Sequence, residues 1–133
     1  MSDLKIHHIG YLVKNIDKAA DQFEFLGFSI INEKCRDDHR QADILFMEKD
    51  GVTIELVSPV SEESVVAGLI KRYKNSPYHI CYESEDIEAD AEKLTSKGFT
   101  AIDEPTPAPA IGGRRVQFFM GHSVGMIELV EAL

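Results

Sequence analysis

A chain of 133 residues with 44% hydrophobic and 28% charged residues is sized and balanced for one globular domain, with a single core that any internal duplication must share. Its net charge of -9 argues against general binding to a phosphate backbone, and apolar runs such as IELV and VQFFM are far shorter than a bilayer is thick. The two cysteines, Cys35 and Cys81, lack CxxC spacing and read as reduced packing residues, and the opening MSDLK has none of the features of a secretory signal, so the expected location is the cytoplasm.

The first element is the strand HIGYLV. Asn15 then caps a helix whose apolar residues Ile16, Ala19, Ala20, Phe23 and Leu26 fall at helical spacing, and Gly27 ends it. Three strands follow at about 28–33, 42–48 and 52–58, with KDG at 49–51 as a hairpin turn. The connector 59–77 carries a helical stripe of Val65, Val66, Leu69, Ile70 and Tyr73. A second strand, YHICYE, then leads to a helix capped by Asp86, striped by Ile87, Ala91 and Leu94 and stopped at Gly98. Strands at 99–103, 115–121 and 124–130 complete the chain, and the intervening DEPTPAPAIGGRR reads as a surface loop over a site.

The two series are copies. A shift of 71 lays residues 8–33 on 79–104 without a gap, with nine identities: His8/His79, Ile9/Ile80, Tyr11/Tyr82, Ile16/Ile87, Ala20/Ala91, Gly27/Gly98, Phe28/Phe99, Ile31/Ile102 and Glu33/Glu104. TIELV at 53–57 answers MIELV at 126–130. The expected fold is therefore α+β: one domain over 1–133, built from tandem βαβββ modules at about 5–58 and 78–131.

Alternation along a strand puts His8, Gly10 and Leu12 on one face, and likewise His79 with Cys81 and Glu83. Glu55 and Glu128 sit at matched places in the last strand of each copy. Taken singly, each is an ordinary strand residue. Taken as a matched set of two imidazoles and two carboxylates, they would neutralise a divalent cation and leave positions open for water or substrate.

The HHIG…VKNIDKA opening, IELVSPVSEES, PYHICYESEDIE, GGRRVQFF and the closing GMIELVE together resemble the vicinal oxygen chelate superfamily over nearly the whole chain. The resemblance implies the glyoxalase/bleomycin resistance protein/dioxygenase fold, in which paired modules curl a mixed sheet around one metal ion. Here the ligands would be His8, Glu55, His79 and Glu128, with Ni, Co or Zn favoured and Mn or Fe as alternatives. The implied chemistry is proton transfer beside a carbonyl of an anionic thioester or thiol adduct. Glu128 would be either the base or a ligand only, and Asp43 a candidate second acid. Arg36, Arg40, Arg114 and Arg115 are candidate contacts for the anionic substrate. The chain is most similar to methylmalonyl-CoA epimerases, with glyoxalase I (lactoylglutathione lyase) as the close alternative and a metal-free antibiotic-binding protein as a third. Ring-cleaving dioxygenases use two His and one Glu, which the fourth candidate disfavours. A homodimer is the expected assembly.

Overall fold

In the computed structural model, which describes residues 4–133, each copy begins with a strand and a capped helix, as the repeat predicts. The elements are β1 (Lys5–Leu12), α1 (Ile16–Phe25), β2 (Ser29–Ile30), β3 (Cys35–Asp37), β4 (Ala42–Lys49), β5 (Val52–Pro59), α2 (Val65–Tyr73), β6 (Ser76–Ser84), α3 (Ile87–Ser96), β7 (Thr100–Ala101), β8 (Thr106–Pro107), β9 (Arg115–Gly121) and β10 (Gly125–Glu131). With parallel and antiparallel pairings both present, the fold is mixed α+β. The short strands β3 and β8 are additions to the sequence reading. By its contacts the chain divides into two compact units, Ile9–Tyr78 and a second one that joins the segment ending at His8 to His79–Leu133. The division falls inside β1 and β6.

In the Ile9–Tyr78 unit the strand order is β2-β4-β5-β1, with β3 also pairing β4. Asp50 and Gly51 both take positive φ, 51° and 79°, which is the primed two-residue turn that suits a right-twisted hairpin. That turn fixes the register at Lys49↔Val52 and hence Phe46↔Glu55. Leu45, Met47, Ile54 and Leu56 therefore share one face and pack with Ile16 and Ala20 of α1, while Glu55 and Phe46 share the other. Asn15 Oδ1 accepts from Lys18 N at 3.0 Å, capping α1. The helix ends where Gly27 turns to φ +103° and Phe28 N reaches back to Phe23 O at 2.9 Å. The two phenyl rings meet edge to face at 5.2 Å, completing a Schellman stop.

The predicted stripes hold in part. Leu26 is 60% exposed because it is the cap itself, and Val65, the first residue of α2, is 76% exposed. Val66 and Ala67 are the buried pair of α2, and Val66 packs with Leu12, Ala42 and Val57.

The other unit has the order β6-β10-β9-β7, with β8 also pairing β9. Phe119, Ile127 and Leu129 form a core with Ile87 and Leu94 of α3. Phe119 is fully buried, so Phe119→Ala should cost about 3–5 kcal/mol in equilibrium urea unfolding. On the opposite face Cys81, Val116 and Val130 pack against Ala108, with Ile111 alongside. The Pro-rich segment thus covers this face through a 3-10 turn, Pro109–Ile111. Gly112 and Gly113 at φ 72° and 82° let it fold back, so that Gly113 N bonds Ala108 O at 3.0 Å. No helix among the described residues is long and apolar enough to cross a membrane.

Candidate metal centre

Within the unit that ends at His8 and resumes at His79, the parallel register sets Glu128 beside Cys81, and the antiparallel register sets it beside Phe118. Its carboxylate consequently leaves the strand on the face away from Phe119 and α3. His79 occupies that same face two residues before Cys81, and its ring stands edge to face with Phe118 at 5.1 Å. Phe118 was not singled out in the sequence, although its place opposite Glu128 follows from strand pairing.

His8 Nε2 and His79 Nε2 lie 3.2 Å apart, and Glu128 Oε1 is 3.2 Å from the first and 3.0 Å from the second. All three residues are nearly excluded from solvent, at 2%, 4% and 4% exposure. Glu128 Oε1 is nevertheless a buried oxygen with no hydrogen bond of acceptable geometry. Burial by itself would raise the Glu128 carboxyl, but the facing His79 and His8 rings outweigh it and hold the group well below the usual carboxylate range. An ionised carboxylate in such a place is costly unless paired or coordinated. Two imidazole nitrogens and one carboxylate oxygen, converging within hydrogen-bond distance, fit a divalent cation of the borderline class.

Glu55 belongs to the other unit. It lies on β5 between Gly10 and Phe46 and is 9% exposed, an unusual level of burial for a carboxylate.

Strand parity separates the remaining candidates. Asp43 pairs with Ser58 and Arg36, on the face of Leu45 and Met47 and away from Glu55. Arg36 Nε donates to Asp43 Oδ1 at 2.6 Å, so the two satisfy each other. Arg115 shares the Phe119 face and is held by Glu131 and Glu88, both at 2.7 Å. Arg40 donates to Asp37, a carboxylate 1% exposed, at 2.7 Å. Arg114 is different. Its Nε donates to Glu131 O at 2.6 Å, and its Nη2, which makes no hydrogen bond, lies 3.6 Å from Glu83 Oε2. Glu83 follows His79 and Cys81 on one face, and the charges of Arg114 and Glu83 both act on His7.

His7 departs from simple alternation. It should point away from His8, yet the two Nδ1 atoms are 2.8 Å apart. Burial, then the neighbouring His8 and Arg114, hold its pKa below the ordinary histidine value against the opposing pull of Glu83 and Glu128. A separate cavity of about 720 Å³, lined by Tyr11, Lys14, Lys18 and Phe23, lies beside α1 and contains none of the ligand candidates.

The model of the Glyoxalase/Bleomycin resistance protein/Dioxygenase superfamily matches residues 7–118, most of the chain. The chain belongs to that superfamily. Among its members, an ethylmalonyl-CoA/methylmalonyl-CoA epimerase of Cereibacter sphaeroides is 29% identical over 116 residues, covering 86% of each chain. The mitochondrial methylmalonyl-CoA epimerase of Homo sapiens is 24% identical over 131 residues, covering 96% of this chain and 74% of that one. The crystal structure of methylmalonyl-CoA epimerase from Mycobacterium tuberculosis superposes with a TM-score of 0.83 at 22% identity, covering 96% of this chain and 87% of that one. The matched residues run through the first copy into the second and include His8, Glu55 and His79.

Proposed function

We propose that this protein is a divalent-metal-dependent epimerase that moves a proton on the carbon next to a thioester carbonyl, with a methylmalonyl-CoA-type acid as substrate. The observation that carries this reading is the buried Glu128 oxygen, without a hydrogen bond and 3.0–3.2 Å from two imidazole nitrogens. Epimerases of such CoA thioesters among the relatives support the substrate class. His8, His79 and Glu128 would hold the ion, with Glu55, the matched carboxylate of the first copy, proposed as the fourth ligand. Zn, Co or Ni suits this nitrogen and oxygen set. When bound, the ion supplies Lewis-acid stabilisation of the negative charge that develops on the substrate oxygen.

Glu128 is the proton-moving group in this reading. Its carboxylate is buried, ionised at neutral pH and fixed beside two rings, so it can accept the α-proton as a weak base that serves by position rather than by basicity. Phe118 stands edge to face with His79, and Ala108 and Ile111 pack over Cys81, Val116 and Val130 on the same face. Arg114 is proposed to bind the anionic carboxylate of the substrate, through the guanidinium nitrogen that makes no hydrogen bond. Inversion also requires a proton to return to the opposite face of the planar enolate; in this reading it comes from solvent, and none is assigned to Asp43, which shares the face of Leu45 and Met47.

The test is solvent deuterium incorporation into methylmalonyl-CoA by the metal-loaded protein, run beside turnover of the methylglyoxal and glutathione adduct. Exchange into the CoA ester supports the proposal; turnover of the adduct alone would replace it with a glyoxalase reading. Arg114→Met should raise KM about tenfold or more and leave kcat within about threefold, since it removes binding common to ground and transition states. Imidazoles must be unprotonated to coordinate, so metal affinity should fall as pH is lowered from about 8 to about 5, as followed by calorimetric titration.

A further inference from the structure

We propose that His7 is a positioning residue for the cation site: it accepts the Nδ1 proton of His8 and so fixes the His8 ring with its Nε2 lone pair toward Glu128 and His79. The inference rests on the metal-centre reading above. Neighbouring strand residues diverge by default, so a 2.8 Å contact between the Nδ1 atoms of His7 and His8 requires the His7 ring to turn back onto its neighbour. The rings meet at 77° with centroids 5.1 Å apart, which is compatible with a bond in the plane of the donor ring.

A neutral imidazole has one N–H and one lone pair. Of two Nδ1 atoms at hydrogen-bond distance, one therefore carries the proton and the other accepts it. The choice is set at the far side of the His8 ring, where Nε2 stands 3.2 Å from Glu128 Oε1 and 3.2 Å from His79 Nε2. Coordination needs the lone pair on that nitrogen. His8 then holds its proton on Nδ1, His7 Nδ1 accepts it, and the proton of His7 sits on its own Nε2. The partner of a metal-binding histidine is usually a carboxylate or a backbone carbonyl; here a second histidine would fill the role.

Two readouts test this. In long-range proton–nitrogen correlation spectra of the metal-free protein, His8 should appear as the Nδ1–H tautomer and His7 as the Nε2–H tautomer. In calorimetric titration with Zn or Co, His7→Phe should weaken binding about tenfold to a hundredfold. His7→Gln, whose amide oxygen can accept the same proton, should stay within about threefold of the original protein. Metal-free thermal melts of both variants serve as the folding control, and the tautomer readout needs no variant. A His8 proton on Nε2, or unchanged affinity in His7→Phe, would overturn the inference and leave the metal centre standing. So would a second ion per chain lost on Cys81→Ala, because His7, His8 and Cys81 also lie within ligand distance of one another. No binding of either cation by the original protein would overturn both readings.

Discussion

Glu128→Gln should lower solvent-proton exchange into the substrate by about a hundredfold to ten-thousandfold, the range for removing a general base. The amide keeps the size and one oxygen of the side chain but lacks a site that can take up a proton at neutral pH. Metal affinity, measured on the same variant, separates the two roles left open for this residue. If the ion is retained and exchange is lost, Glu128 moves the proton. If both are lost together, ligation alone accounts for the effect. Exchange at the original rate would remove Glu128 from the mechanism.

His8→Ala combined with His79→Ala should abolish stoichiometric metal binding altogether. The second consequence is thermal. A cation at a hundredfold excess over its dissociation constant stabilises a folded protein by about 2.7 kcal/mol, which for a chain of this size raises Tm by about 10 °C. That increment should be present in the original protein and absent from the double variant. A double variant that still melts higher with metal places the cation elsewhere. The linkage has a definite sign: acid should erase the increment in the original protein, since protons compete for the imidazole nitrogens.

The sequence exposes the ligand candidates because duplication preserves them at a fixed offset. His8 and His79 come from the same place in two copies, and so do Glu55 and Glu128. The helices are readable for a local reason: Asn15 and Asp86 cap them with side chains, and Gly27 and Gly98 stop them with positive φ. The face on which Asp43 lies is readable as well. A two-residue turn at Asp50 and Gly51 fixes the parity of β4 against β5, and parity alone places Asp43 on the helix side. The strands β3 and β8 are too short for periodicity to reveal, being three and two residues long and defined only by their partners. The contact between His7 and His8 was also illegible, because it depends on a side-chain rotation that a period-two rule does not describe.

The packing of Ala108 and Ile111 has a consequence for durability. Beneath them Cys81 is 0% exposed, although its sulfur lies within ligand distance of His7 and His8. Peroxide oxidises an accessible thiol to sulfenic or sulfinic acid, and those polar oxygens would disrupt a packed interior. The lid of small apolar residues withholds both oxidant and water from that sulfur. Cys35, only partly buried, should be the thiol that takes up an alkylating reagent or peroxide first. The fold thereby protects its buried thiol by restricting access to it.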